Sequence, residues 1–270
     1  MISSLVLALA LTQSPAAPQK LRWEPRIDIP VSGALVAGWV LSETAFKKSL
    51  APLACRWCET NGFDTAVRSV FNPTLTPSAS GFHGPDLAST LIGFVGVPLA
   101  MVGLEALLSW RDGAFVETFP VDVVLMVEAT FSALALNQVV KFAVGRARPY
   151  TVDAPPDLLA QGKDLADNNL SFFSGHSTLA FSVVASAATI AGLRGYRYAW
   201  VLWAVGMPLA ATTAILRLAA DKHWTSDVLV GAAIGTATGI LMPTLLHGRV
   251  GPVTAQVTPL PNGLAVAGRF

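Results

Sequence analysis

Residues 87–110 read LASTLIGFVGVPLAMVGLEALLSW, and this stretch decides the fold class. It contains a single charged residue, Glu105. As an α-helix it would be about 36 Å long at 1.5 Å per residue. The hydrocarbon core of a membrane is about 30 Å thick. The stretch therefore predicts a helix that crosses a membrane.

The composition of the whole chain also fits a protein in lipid. Of its 270 residues, 53% are apolar and 13% are charged, whereas soluble domains carry about 25% charged residues. The 18 Lys and Arg residues nearly balance the 17 Asp and Glu residues. The chain therefore lacks the basic field that attracts nucleic acid. We expect contact with membrane lipid and no nucleic-acid partner. The sequence does not indicate which oligomeric state the protein adopts.

Four further stretches are long and apolar enough to cross a membrane, or nearly so: residues 119–140, 177–193, 199–216 and 228–247. Asp122 and Glu128 lie in the first of these, and acids within a span usually face the interior of a bundle. Residues 31–50 are a sixth candidate, which could cross the membrane or lie at its surface; we favour crossing. The predicted fold is all-α, a polytopic bundle of five to six apolar helices.

The chain reads as one helical domain, residues 27–248, between two segments of different character. Residues 1–17 are either a cleaved signal peptide or an N-terminal hydrophobic segment, because an apolar run and small residues are present but Met1 to Ser4 contain no Lys or Arg. Residues 249–270 form a C-terminal tail, in which the Pro-Asn-Gly sequence at 261–263 predicts the turn of a short β-hairpin.

Cationic residues near the span ends predict an orientation. Arg22, Arg111, Arg194 and Arg249 lie in connections that the positive-inside tendency assigns to the cytoplasm. The loops with the chemically interesting residues would then face the periplasm or exterior of a bacterial-type inner membrane. A cleaved signal peptide conflicts with a sixth span, since it inverts the side of every later loop. The alternative is a periplasmic, membrane-associated protein.

Cys55 and Cys58 form a Cys-Arg-Trp-Cys element, and no second pair completes a four-thiolate zinc site. A structural disulfide or an inert pair of thiols explains them. Two predicted spans separate these cysteines from Lys141, so we expect them on the same side of the membrane as Lys141. If that side is outside, a disulfide is permitted.

The first of three polar clusters, KFAVGRARP at residues 141–149, contains Lys141 and Arg148 and ends in a Pro that stops a helix. These cations could instead be ordinary charge at the end of a span. The second cluster is SFFSGHS at residues 171–177, which contains Ser174, Gly175 and His176. A glycine at a helix start lets backbone N–H groups approach an anion. Plain N-capping with an uninvolved histidine is the alternative.

The third cluster, RLAADKHWTSD at residues 217–227, precedes and opens the last predicted span. His223 and Asp227 are four residues apart, so on a helix they share one face and the carboxylate can orient the imidazole. An ordinary surface ion pair is the alternative. Arg217 adds a cation to the cluster.

Together the clusters suit phosphoryl transfer. Lys141, Arg148 and Arg217 can stabilise the charge that spreads over the phosphate oxygens. A neutral His223 supplies a nucleophile, and His176 can protonate the leaving alkoxide. This scheme uses no metal and no cofactor. Motifs of P-loop enzymes, zinc proteases and serine hydrolases are absent from the sequence.

Taken in order, the clusters resemble the type 2 phosphatidic acid phosphatase superfamily, which includes bacterial acid phosphatases and vanadium haloperoxidases. Its pattern is a Lys, six residues and Arg-Pro; then Pro-Ser-Gly-His; then Ser-Arg, five residues, His, three residues and Asp. The resemblance implies that the cations bind phosphate, that Ser174 and Gly175 donate hydrogen bonds, and that His176 is the acid. It implies that His223 becomes a phosphohistidine held by Asp227.

Two positions depart from the family pattern. Phe173 replaces the Pro of the second motif, and Leu216 replaces the Ser of the third, which removes one hydroxyl contact to phosphate. The predicted activity is hydrolysis of a phosphate monoester or pyrophosphate, carried by a lipid or a small ester. A vanadate-dependent haloperoxidase and an inactive protein that binds lipid or phosphate are the alternatives.

Overall fold

The computed structural model describes residues 17–73, 78–152, 154–162 and 165–250, together with the backbone of residues 254–260 and 263–269. The predicted N-terminal segment, residues 1–17, lies outside the described residues except for Ala17. The α-helices in the described part are α1 (Pro25–Thr44), α2 (Lys47–Leu50), α3 (Gly62–Phe71), α4 (His83–Thr90), α5 (Val97–Arg111), α6 (Phe115–Val144), α7 (Pro156–Leu159), α8 (Gly175–Arg194), α9 (Trp200–Ala219) and α10 (Thr225–Leu246).

Five helices in the described part are long and apolar enough to cross a membrane, as the sequence predicts. They are His83–Arg111, Phe115–Val144, Gly175–Arg194, Trp200–Ala219 and Thr225–Leu246. The first joins α4 and α5 through a π-helical turn, Leu91–Gly96. The prediction of a polytopic helical bundle is confirmed.

The sixth candidate, residues 31–50, does not form one helix. Helix α1 begins earlier, at Pro25, because Glu24 caps it and Pro suits the first helical turn. It ends at Thr44, and Lys47–Leu50 form the separate short helix α2. Helix α1 packs along α6, where Gln138 donates to Glu43 over 2.5 Å. That it crosses a membrane stays a prediction.

Helix α8 lies at the centre of the bundle, and its contact with α10 is unusually close. A Cβ on Gly235 would lie 2.5 Å from the Thr178 carbonyl oxygen, and one on Gly231 would lie 2.6 Å from that of Ser174. Glycine at these positions lets the two backbones touch. The contact fixes the start of α8 against the start of α10, where the second and third polar clusters lie.

The acids predicted to face the bundle interior do so. Asp122 and Glu128 are buried, and so is Glu105 of the first predicted span. Asp122 pairs with Arg194 over 2.6 Å and accepts a hydrogen bond from the Tyr196 hydroxyl over 2.9 Å. The cluster of Asp122, Arg194 and Tyr196 lies at the end of α8 opposite the polar motifs.

The tail pairs two strands, β1 (Thr254–Leu260) and β2 (Gly263–Arg269), in an antiparallel hairpin. Leu260 pairs with Gly263, the last residue of the predicted Pro-Asn-Gly turn. The predicted C-terminal hairpin is confirmed.

Candidate active site

The three polar clusters meet at one end of the bundle around a cavity of about 350 Å³. Residues of each cluster line it. The predicted site residues in its wall are Lys141, Arg148, Gly175, His176, Arg217 and His223. The other two predicted residues, Ser174 and Asp227, are buried behind the wall.

His223 is held so that one ring nitrogen faces the cavity. Its Nδ1 lies 2.8 Å from the backbone carbonyl oxygen of Ser171. A carbonyl only accepts, so Nδ1 carries the hydrogen and Nε2 keeps its lone pair, which faces Arg148 Nη1 over 3.3 Å. Burial, with added repulsion from Arg148 and Arg217, lowers the pKa of His223 well below its ordinary value. The imidazole is therefore neutral near pH 7, and Nε2 can act as a nucleophile.

Asp227 acts on His223 less directly than the sequence predicts. Its Oδ2 lies 3.7 Å from His223 Nδ1, beyond hydrogen-bond distance. The same oxygen accepts from the Ser171 hydroxyl over 2.5 Å and from the backbone N–H of Trp224 over 2.9 Å. The reason is that α10 begins at Thr225, so His223 precedes the helix and the four-residue spacing does not place both side chains on one helical face. Asp227 fixes Ser171, whose carbonyl in turn orients His223.

Lys141 is the cation best placed to meet an anion. Among the described residues its ammonium group makes no ion pair and no side-chain hydrogen bond, although the residue is only 8% exposed. A Cβ on Gly175 would lie 3.3 Å from Lys141 Nζ. Glycine therefore leaves open the space between this ammonium group and the start of α8.

Comparison with known proteins matches the part of the chain that contains the predicted site. The sequence model of the PAP2 superfamily matches residues 122–250, which include all eight predicted site residues. Residues 122–250 are therefore similar to the PAP2 superfamily.

A curated relative and a solved structure are also similar to this chain. The lipid A 1-phosphatase of Porphyromonas gingivalis is 42% identical over 72 residues, which span 26% of this chain and 15% of that protein. A transmembrane PAP2-type phosphatidylglycerolphosphate phosphatase from Bacillus subtilis is 19% identical, with a TM-score of 0.46 over 78% of this chain and 93% of that one.

Arg148 and Arg217 are held by acids that the sequence motifs did not identify. Arg148 donates from Nε to the carbonyl oxygen of Asp167 over 2.7 Å, and its Nη2 lies 3.3 Å from the Asp167 carboxylate. Arg217 pairs with Asp86 and donates to the Ser89 hydroxyl over 3.0 Å. Burial alone would raise the pKa of Asp167, but Arg148 and Lys47 hold it well below its ordinary value.

The charges around the cavity leave an excess of cations. Among the described residues, five cationic side chains and three anionic ones line it, a net charge of +2 with both histidines neutral. The cations are Lys47, Lys141, Arg148, Arg217 and Lys222, and the acids are Glu43, Asp86 and Asp167. Lys47, Glu43, Asp86, Asp167 and Lys222 were missed because they lie outside the three motifs or between their fixed positions. The surplus matches the charge of a phosphate dianion.

Arg146 is the most informative residue that the motifs do not include. It is 1% exposed and donates to Asp227 over 2.5 Å, to Ser226 over 2.7 Å and to Asp64 over 2.7 Å. Its guanidinium lies 4.1 Å from the ring centre of Trp57. It therefore fixes Asp227 from behind. The sequence signal was available, since Arg146 is the third cation of the first cluster, but it read as charge flanking a span.

His176 and Ser174 occupy the start of α8. The His176 ring lines the cavity, and its Nε2 lies 3.1 Å from the Thr90 hydroxyl. The Ser174 hydroxyl caps α8 by accepting from the backbone N–H of Ser177 over 3.4 Å. The Ser174 side chain is thus engaged in the helix cap, and a direct contact with phosphate stays a prediction.

Cys55 and Cys58 form a disulfide bond. The loop that contains them pairs with the first cluster, because the Arg56 N–H donates to the Gly145 carbonyl and the Ala147 N–H donates to the Trp57 carbonyl. The prediction that these cysteines share a side with Lys141 agrees with this contact. The disulfide closes the loop that presents Trp57 to Arg146.

Proposed function

We propose that the chain is a phosphatase that hydrolyses a phosphate monoester or pyrophosphate of a lipid, through a covalent phosphohistidine at His223. One observation carries the proposal. The nucleophilic Nε2 of a neutral, oriented histidine faces a cavity with a surplus of two positive charges. Lys141 beside it makes no ion pair within the described part of the chain, and a histidine so placed suits attack on a phosphate.

In the first step, Nε2 of His223 attacks phosphorus as the bond from phosphorus to the leaving oxygen breaks. Burial and the cavity cations lower the pKa of His176 in the free protein, and a bound phosphate dianion raises it by offsetting those cations. The protonated His176 then donates its proton to the leaving oxygen, which departs as an alcohol or as the lipid monophosphate. In the second step, His176 accepts a proton from water, the water oxygen attacks phosphorus, and the phosphorus–nitrogen bond breaks. Lys141, Arg148 and Arg217 stabilise the charge on the phosphate oxygens in both steps.

A lipid substrate is supported by a second cavity beside the polar one. This apolar groove has a volume of about 270 Å³ and shares Trp39 and Phe94 with the polar cavity. The remainder of its wall includes Val102, Met126 and Leu179. A phosphate in the polar cavity could therefore extend a hydrocarbon chain past Trp39 and Phe94. The similar lipid A 1-phosphatase is named for a lipid phosphate, which supports this substrate class.

We propose further that the site faces the periplasm or exterior. At the opposite end of the bundle, Arg197 and Arg249 are exposed, as the positive-inside tendency requires of a cytoplasmic face. Lys48→Cys places an exposed thiol at the site end, and Arg197→Cys places one at the other end. A membrane-impermeant maleimide on intact cells should label only the first variant. Labelling of Arg197→Cys alone would reverse the assigned orientation.

Activity is tested with purified protein in detergent, without added metal. Phosphatidic acid, an isoprenoid pyrophosphate and a lipid A phosphate are compared with a small soluble phosphate ester. We expect phosphate release from at least one lipid and a much slower reaction with the soluble ester. His223→Ala should abolish turnover, while the exposed His83→Ala should not change it. Equal activity of His223→Ala and the parent would reject the mechanism.

A further inference from the structure

Three ionisable side chains meet in the bundle far from the catalytic cavity. They are Asp28 of α1, Glu128 of α6 and His247, which follows the last turn of α10. Their exposed fractions are 7%, 5% and 5%. One ligand atom of each lies within 4.8 Å of those of the other two. The chain thus brings a nitrogen ligand and two carboxylates together from three separate helices.

The orientation of His247 aims a lone pair into this cluster. Its Nδ1 lies 3.0 Å from the carbonyl oxygen of Arg22 and must donate to it, so Nε2 of the neutral ring is an acceptor. Nε2 lies 3.5 Å from Oε2 of Glu128. Neither atom has a hydrogen-bond partner, although both are buried. Two buried acceptors that face each other need a proton or a cation between them.

In the part of the chain that the structure describes, the cluster also has no Lys or Arg to neutralise it. Within the described residues, Asp28 and Glu128 form no ion pair with either residue type. Asp28 accepts a hydrogen bond from the backbone N–H of Glu24 over 2.7 Å, which leaves its second oxygen available. Two buried carboxylates without a neighbouring Lys or Arg are costly unless another positive charge compensates them.

We propose that Asp28, Glu128 and His247 bind a divalent transition-metal ion of the zinc class. Two ligand atoms, each about 2.1 Å from one zinc ion at a tetrahedral angle, are about 3.4 Å apart. The His247 Nε2 and Glu128 Oε2 atoms, 3.5 Å apart, have this separation. A hydrogen bond from the second ring nitrogen to a backbone carbonyl is the usual support of a metal-bound histidine. Water would complete the four-coordinate shell.

The role of this ion is structural. The catalytic cavity lies near the first residue of α10, and His247 lies just after its last residue. The two sites are therefore about 33 Å apart, at 1.5 Å per residue. The ion would tie the segment before α1 to the end of α10, where the Arg22 N–H already donates to the Gly248 carbonyl over 3.1 Å. Through Glu128, the ion would also attach the segment before α1 and the end of α10 to α6.

The test uses full-length protein purified without a polyhistidine tag and stripped with a chelator. Zinc binding is measured by calorimetry and by metal content after gel filtration. We expect one zinc ion per chain for the parent, for His83→Gln and for Glu117→Gln, both of which change exposed residues. Glu128→Gln and His247→Gln should lose this ion. Zinc at a hundredfold excess over its Kd should raise the Tm of the parent by about 5 °C.

An alternative is a simple ion pair between a protonated His247 and Glu128. In that case zinc would neither bind stoichiometrically to the parent nor raise its Tm, and the proposal would be wrong. The same holds if the parent and Glu128→Gln bind zinc equally. Should His247→Gln fail to fold, the zinc titration of the parent and the Asp28→Asn variant still decide the question.

Discussion

Two clusters of buried charge lie at opposite ends of the bundle, and they differ in balance. At one end, Arg194 and Asp122 form a matched pair, with Tyr196 donating to the same carboxylate. At the other, five cations outnumber three acids around a cavity, and Lys141 makes no ion pair among the described residues. A matched pair holds helices together. A surplus of cations around a cavity is a place for an anion.

The largest effect on stability is expected from Asp122→Asn. This change leaves the Arg194 guanidinium buried without its carboxylate, which costs about 3–5 kcal/mol. Denaturation in detergent should show this loss, while Glu117→Gln, an exposed change in the same helix, should show none. Phosphatase activity of the folded fraction should remain near that of the parent. A fall in kcat as large as that of a cavity variant would break the distinction between the two clusters.

Lys141→Met is expected to produce the opposite pattern. Removing a cation that contacts phosphate in the transition state should lower kcat/KM by about 10²- to 10³-fold. Stability should stay the same or rise, because a buried charge without a partner is removed. Lys48→Met, an exposed lysine at the same end, is the matched control for activity. If Lys141→Met instead unfolds the protein and spares kcat/KM, Lys141 is a structural residue.

Gly235→Ala tests how the cavity is held together. The added methyl would lie 2.5 Å from a backbone oxygen of α8, and such overpacking costs about 1–3 kcal/mol. Both Tm and kcat should fall, because α8 carries His176 and α10 follows His223. Gly103→Ala has open space around its Cβ and should leave both quantities unchanged. Equal behaviour of the two variants would mean that the close contact does not position the site.

A smaller effect is expected in the pH dependence of activity. Burial and the neighbouring Arg148 lower the pKa of His223, so the neutral nucleophile persists as the pH falls below the ordinary range of histidine. The acid limb of kcat/KM should therefore lie below pH 6.5, the usual histidine value. Arg148→Gln removes one source of repulsion and should move this limb to higher pH. Ionisation of the substrate is common to both proteins, so an unchanged limb would count against His223 as the titrating group.

The sequence predicted the features that depend on local pattern. Five apolar stretches of sufficient length gave five helices, and motif residues such as Lys141, His176 and His223 meet at one cavity. The length of an apolar stretch predicts a helix, and the spacing of the motif residues places them at its ends. Successive spans run in alternating directions, so motifs at the end of one span, at the start of the next and at the end of the next but one lie at the same end of the bundle.

Features that depend on tertiary contacts were not predictable in the same way. The start of α10 at Thr225 places His223 outside the helix, so Asp227 acts through Ser171 and not directly. The support of Asp227 by Arg146 and Asp64 joins residues far apart in sequence. No periodic pattern in the sequence indicates such a contact. A cation at the end of a span is equally typical of ordinary flanking charge.

The central claim is that the surplus of cations surrounds a phosphate whose acceptor is Nε2 of His223. The direct test mixes parent protein with a lipid substrate carrying ³²P in its phosphate, quenches within milliseconds in alkaline detergent, and maps the labelled peptide. We expect an alkali-stable, acid-labile phosphate on His223 in the parent and in Asp122→Asn, and none in His223→Ala. Label on another residue, or turnover that persists in His223→Ala, would contradict it.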